Sequence, residues 1–180
     1  MNKITSVRKI KDPYSKRILS YLIGRNPLSV FIETPSELRR LIHGLSEKQL
    51  RTRPARGKWS IAHLVSHLCD AEWAMGFRLR MVIAQPGRPL QAYDQDKWAQ
   101  SLFYDKTDCQ EKLSLFTSLR RSHVSLLRNL RPREWKRYGI HEERGKETVE
   151  RMIHMLAGHD INHLRQIKTI RASYLSKTRR

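Results

Sequence analysis

The sequence predicts an all-α fold, a four-helix bundle, and three observations carry the prediction. Apolar residues recur at three- and four-residue steps in four long stretches, no stretch shows a convincing strand-like alternation, and no segment repeats. A chain of 180 residues with 39% hydrophobic content can bury one real core and is too short for two comfortable ones. One bundle over residues 26–171 is expected, between a basic N-terminal arm at 1–25 and a basic tail at 172–180.

The arm should hold a short helical piece around residues 18–23 and end at Gly24-Arg25-Asn26-Pro27. A first core helix follows over about 28–43, with Val30, Phe31, Leu38, Leu41 and Ile42 inside and Gly44 as its stop. Thr34-Pro35-Ser36-Glu37 reads as a fresh capping box with proline at the first helical position, which predicts a kink or restart there. Residues 46–50 read as one turn of helix and 54–58 as a loop leading to Trp59.

The second core helix begins after Ser60, a good N-cap, and buries Ile61, Leu64, Val65 and Leu68. It should run to about Ala84, where Gln85-Pro86-Gly87 stops it. Residues 89–96 are expected to cross irregularly and 97–103 to form a short helix. The third core helix should start at Thr107, whose spacing to Gln110 fits a capping box, and end before Pro132. Residues 134–146 form a long connection to the fourth helix, 149–170, whose apolar positions are Val149, Met152, Ile153, Leu156, Ile161, Leu164 and Ile167.

Charge gives the main competing signal. The net charge is +19, and twelve of those excess charges fall in residues 1–25 and 165–180. Basic ends of this kind are usually solvated, and no aromatic RNA-binding motif, zinc-finger spacing or glycine-rich phosphate loop accompanies them. Nucleic-acid contact through these ends would be non-specific and salt-sensitive. No apolar run approaches a membrane span and the start lacks a secretory signal, so a cytoplasmic protein is expected. Cys69 and Cys109 are too few for a disulfide framework and read as reduced thiols.

The chemistry concentrates in Gly158-His159-Asp160-Ile161-Asn162-His163. Residues four apart on a helix differ by about 40° around the axis, so His159 and His163 project side by side and can grip one metal ion. Two histidines are half a site; a firmly held ion that still does chemistry usually has three protein ligands and an open position. The second helix carries a further H-x-x-x-H pair, His63 and His67, and either helix pair can face the other. Cys69 lies about 200° from His67 and His154 about 140° from His159, which argues against both, while His43 and His123 read as surface residues. His141, just before the fourth helix, is a candidate for the pocket rim.

Lys58-Trp59-Ser60-Ile61, then His67-Leu68-x-Asp70-x-Glu72, then Gly145-x-Glu147-Thr148-Val149 and finally His159-Asp160-x-x-His163 together resemble the DinB-like superfamily of four-helix metalloproteins. The resemblance covers residues 26–171. It implies up-down-down-up connectivity with a long crossover, a homodimer, and a divalent metal, Ni2+ or Zn2+, held by His67, His159 and His163. The family pattern usually has a different polar residue at the position of His63, which leaves that residue as a neighbour or lining of the pocket.

Three neutral imidazoles leave an ion's double charge uncompensated and a position open, which lowers a bound water's pKa toward about 7. The resemblance implies two corresponding activities: metal-dependent hydrolysis, or a transferase reaction of a low-molecular-weight thiol. Asp70, Asp160, Asn162 and Gln166 flank the expected ligands and are candidates to orient them or line the pocket. Trp59 reads first as a packing anchor for the start of the second helix. The alternative function is a non-catalytic metal-binding bundle whose basic surface meets nucleic acid or another acidic partner.

Overall fold

Most of the helices begin where the sequence supplies a side-chain cap. The computed structural model describes residues 3–177; residues 1, 2 and 178–180 of the expected basic ends lie outside the described residues. Helix α1 (Pro13–Ser20) is capped by Asp12, whose carboxylate accepts from the Ser15 amide. Asn26 caps α2 (Pro27–Ile42), with Pro27 at the first helical position, where a missing N–H costs nothing. Helix α3 (Glu47–Arg51) is the expected single turn, closed by a reciprocal Ser46–Gln49 capping box. Helix α4 (Ile61–Ala84) starts after Ser60 and stops at the Pro86-Gly87 signal, as expected. Helices α5 (Gln95–Ser101), α6 (Cys109–Arg128) and α7 (Val149–Lys177) complete the set, and no described helix is long and apolar enough to cross a membrane.

Helices α2, α4, α6 and α7 form the bundle: α2 and α4 each pack on both α6 and α7 and lie diagonal to one another. Side-chain pairs give their directions. Ser66, Asp70, Glu72 and Arg80 bond in turn to Thr107, Lys112, Arg120 and Ser122, so α4 and α6 run parallel. Thr34 meets Asp160 and the Leu41 carbonyl meets Arg171, so α2 and α7 are parallel too. Leu64 shares a cavity wall with Ile170, and Met75 shares another with Met155, so α4 opposes α7. The order is up-down-down-up, and the parallel α4–α6 step requires the long crossover of residues 85–108.

Several local expectations need correction. The helical piece expected at 18–23 lies earlier, as α1, and it belongs to the core: Ile18, Leu19 and Leu22 are 0% exposed and pack against α7. Pro35 neither starts nor breaks a helix but stays inside α2, and Thr34 turns its hydroxyl to the Val30 carbonyl instead of capping. The third core helix is capped by Asp108, not Thr107, because Thr107 is held by Ser66 and the Tyr104 carbonyl.

The long connection before α7 contains strands. Strand β2 (Tyr138–His141) pairs antiparallel with β3 (Gly145–Thr148) and parallel with β1 (Pro89–Leu90) in the crossover, in the order β1-β2-β3. Along β2 the buried positions are Gly139 and His141 while Ile140 is 42% exposed, the reverse of an apolar-in pattern. Gly139 gives the Leu90 side chain its room, since a Cβ there would lie 2.7 Å from it and force it to shift.

The core divides into two apolar clusters, one around Ile18, Phe31, Leu79 and Leu156, the other around Leu38, Ile61, Phe116 and Ile167. Where the two clusters meet, each bundle helix carries buried polar residues: Thr34, Glu72, Arg120 with His123, and Asp160 with His163. The candidate site lies in that seam.

Candidate metal centre

Antiparallel packing of α4 on α7 brings His67 against His159 and His163. Nε2 of His159 lies 2.9 Å from Nε2 of His67 and 3.1 Å from Nε2 of His163, and the ligand atoms of all three fall within 4.8 Å of one another. His67 and His163 are buried, and His159 nearly so. Burial, reinforced by His163, pushes the pKa of His67 down to about 3. Burial also lowers His163 to about 4, against the opposing hydrogen bond of Gln166, and holds His159 far below the ordinary histidine value.

These facts test whether an ion fits. A neutral imidazole has one N–H and one lone pair. The Nδ1–H of His163 donates to the Gln166 carbonyl oxygen at 3.0 Å, which leaves its Nε2 lone pair aimed at the centre. Nε2 of His159 faces both other Nε2 atoms and can donate to one only, so three converging nitrogens cannot satisfy one another. Nδ1 of His159 is buried without a partner among the described residues. Such a nest of lone pairs calls for an electrophile, and burial disfavours protons. Zinc with bonds of about 2.0–2.1 Å sets tetrahedral ligand nitrogens roughly 3.4 Å apart, within the span of the separations here, from 2.9 Å up to no more than 4.8 Å. The residues fit a divalent ion.

Two cavities open onto the cluster. One of about 330 Å³ is walled by His67 and His159 and also holds His141; the other, about 800 Å³, reaches His163, Asn162 and Gln166. Tyr14 and Gln95 border both. Trp59 packs its ring 5.0 Å from that of His67 and lines the larger cavity, so it anchors and lines at once. The buried His141 accepts the Glu143 amide at Nδ1, so its Nε2 carries the hydrogen.

The other candidates are placed elsewhere. His63 is buried but turned away, with Nδ1 on the Ser60 hydroxyl and Nε2 on Asp105 and Arg53. Asp70 faces α6, where Lys112 donates to it. Asp160 receives Arg120 at 2.8 Å, and its burial raises the carboxyl to about 6 despite that partner. Both cysteines are buried thiols, pushed up to about 12 by desolvation.

Sequence reasoning missed the ionic layer beside the ligands. Arg120, 1% exposed, donates two hydrogen bonds to Glu72, one to Asp160 and one to the Phe31 carbonyl. That carbonyl is free because Pro35, four residues on, has no N–H to offer it. Glu72 also accepts Nδ1–H of His123, which is 1% exposed and not at the surface as expected. A glycine on α4 makes room: a Cβ at Gly76 would lie 2.1 Å from Nε2 of His123. The one available signal was Glu72 itself, a carboxylate in the middle of an apolar helix.

Comparison with known proteins places this fold in a family. A sequence profile of the DinB superfamily matches residues 31–167. A relative from Oceanobacillus iheyensis, provisionally named a metal-dependent hydrolase, is 28% identical over 138 residues, 77% of this chain and 80% of that protein. One from Bacillus mycoides with the same provisional name is 28% identical over 139 residues, with the same shares covered. The structure of YfiT from Bacillus subtilis, described as a probable metal-dependent hydrolase with an unusual four-helix bundle topology, aligns with a TM-score of 0.75 over 94% of this chain and 93% of that one. At 20% identity that likeness is one of fold. With the profile spanning three quarters of its length, the chain belongs to the DinB superfamily.

Proposed function

We propose that the protein is a metal-dependent enzyme in which His67, His159 and His163 hold one divalent ion, Ni2+ or Zn2+, and that it catalyses hydrolysis. The observation that carries the reading is the convergence of three buried, neutral imidazole nitrogens at a point open to two cavities. The provisional names of the relatives favour hydrolysis over transfer to a small thiol. When bound, the ion supplies Lewis acidity and an open position for water or a thiolate.

The chain's own residues prepare that position. Gln166 fixes the tautomer of His163 and makes its Nε2 a better donor of electrons. Trp59 holds the His67 ring from one side. Arg120, by gripping Asp160 between the two α7 ligands, sets the rotation of that helix against α4. His141 presents an N–H to the smaller cavity, where it can hydrogen-bond a substrate oxygen.

Elemental analysis tests the reading, on protein purified without a metal-affinity tag and on a His159→Ala/His163→Ala variant. About one ion per chain, absent from the variant, is expected for a three-ligand site. No metal in wild type after reconstitution with nickel and zinc overturns it. With the ion present, ester and amide hydrolysis is screened beside thiol transfer, and activity seen only with an added thiol assigns the transferase reaction instead.

A further inference from the structure

We propose that the ligand of this centre is an elongated molecule with an anionic head that Arg78 holds, an apolar middle, and a reactive group presented to the three histidines. The inference rests on the metal reading above and adds the chemical class of the ligand.

The smaller cavity has two distinct ends. His67 and Arg78 are eleven residues apart on α4, three turns, so they share a face with Cα atoms about 16 Å apart. A long helical side chain leans toward the helix N-terminus, which leaves on the order of 10 Å between guanidinium and imidazoles. Between them on α4 lie Ala71 and Met75, and Met155 and Leu156 of α7 line the same cavity. The α4 and α7 faces between the ends are therefore apolar. A volume of about 330 Å³ suits a ligand of modest size.

Arg78 is held in place but not neutralised. Its Nη2 donates to the Gln91 carbonyl, and the guanidinium lies 5.5 Å from the centre of the Tyr93 ring, which stacks on Trp98 at 4.2 Å. Burial lowers its pKa from the ordinary arginine value; Tyr93 opposes that, and Glu147 and Glu142 act only from a distance. No described carboxylate forms an ion pair with it. The cavity's other guanidinium, Arg144, is paired with Glu147 at 2.8 Å. Of the acids in the wall, Asp12 is engaged in capping α1 and Glu143 is exposed. A part-desolvated guanidinium with donors to spare, fixed by a carbonyl and an aromatic ring, matches the fork of a carboxylate or phosphate.

The test uses protein loaded with Co2+, whose visible absorption reports new ligands. It is titrated with 6-mercaptohexanoate, 6-mercaptohexylphosphonate and the neutral 6-mercapto-1-hexanol, for wild type, Arg78→Met and Arg78→Lys. The thiolate reports at the metal while the six-carbon chain carries the anion toward Arg78. In wild type at least one anionic thiol should bind about tenfold more tightly than the alcohol, and the tighter of the two identifies the head group. The preference should fall to about twofold or less in Arg78→Met and partly return in Arg78→Lys, and 3-mercaptopropionate, too short to span the cavity, should show none. An equal affinity for all three six-carbon thiols in wild type overturns the proposal without reference to any variant. So does a preference that survives Arg78→Met. Failure to take up cobalt instead sinks the metal reading and this proposal with it, whereas cobalt that is taken up but whose spectrum is indifferent to every thiol overturns this proposal and leaves the metal reading standing.

Discussion

Replacing Gly158 by alanine sets two physical effects of opposite sign against each other. Gly158 is interior to α7, where alanine is favoured over glycine by about 1 kcal/mol on helix propensity alone. In the fold, however, a Cβ there would lie 2.4 Å from the Ile18 carbonyl oxygen and 2.9 Å from its carbon. Backbone atoms cannot swing aside as a side chain can, so α1 must shift as a unit. That shift loosens Ile18, Leu19 and Leu22, each 0% exposed and each worth about 1.5–3 kcal/mol when fully buried. Overpacking of this kind typically costs about 1–3 kcal/mol, which outweighs or at least cancels the propensity gain. The net loss is then up to about 2 kcal/mol, and at about 2–4 °C per kcal/mol for a chain of this size, thermal unfolding followed by circular dichroism should show Tm lower by a few degrees, up to about 8 °C. Trypsin should cut faster at Lys16 and Arg17. Combining Gly158→Ala with Ile18→Ala should give less than the sum of the two losses, because α1 is detached only once. A Tm clearly above wild type, with trypsin cleavage unchanged, would falsify the docking of α1 and return residues 1–25 to a solvated arm.

Further outcomes follow from the buried charges and rings. In metal-free protein, the folded pKa values of His67 and His163, about 3 and 4, lie below the unfolded value of 6.5, so their contribution is present above pH 6.5 and lost as pH falls toward 4. Each adds a slope of up to about 1.4 kcal/mol per pH unit in that window, and a His67→Asn/His163→Asn variant melted across pH in chelator should show a flatter dependence. Asp160 works the other way, since its folded value of about 6 exceeds the unfolded 3.8 and its contribution is lost as pH rises between the two; Asp160→Asn should remove that opposing slope. Gly76→Ala, which drives a Cβ into the His123 ring at 2.1 Å, should lower Tm despite the better helix former. Native Cys69 and Cys109, raised to about 12, should react with a thiol reagent only at the rate of unfolding, and a fast native reaction would refute their burial.

The legible parts of this chain are those whose signals are local. Ser60 and Pro86-Gly87 bracket α4, and the four-residue spacing of His159 and His163 needs only the geometry of one helix. Choosing between His63 and His67 was not a local matter. The two differ by about 40° around α4, and which one meets α7 depends on how the helices are rotated. In the fold His67 turns inward and His63 is drawn to Asp105, a residue 42 positions later in the chain. The same reason hid α1, whose Ile18 and Leu19, with Leu22 just beyond its end, stand among lysines and arginines and acquire a partner only when α7 arrives. Strand β2 was hidden by inverted polarity, with a glycine and a histidine inside and an isoleucine out.

Arg120 is the extreme case, a charged residue on a helix that reads as amphipathic, whose partners come from the three other bundle helices. Its energetics separate stability from specificity. Removing it alone, as Arg120→Met, leaves Glu72 and Asp160 as facing buried carboxylates and should cost about 3–5 kcal/mol, measured by denaturant unfolding at neutral pH. Replacing all three together by apolar residues of similar volume should recover much of that loss, since buried ion networks often do no better than hydrophobic packing. The metal centre distinguishes the two explanations for keeping such a network. If Arg120 serves to hold the rotation of α7, the apolar triple variant will be stable yet bind its ion more weakly, because His159 and His163 flank the Asp160 that Arg120 grips. A triple variant with wild-type metal affinity would show that packing alone aligns the three histidines, and would leave the ionic layer without a role in the site.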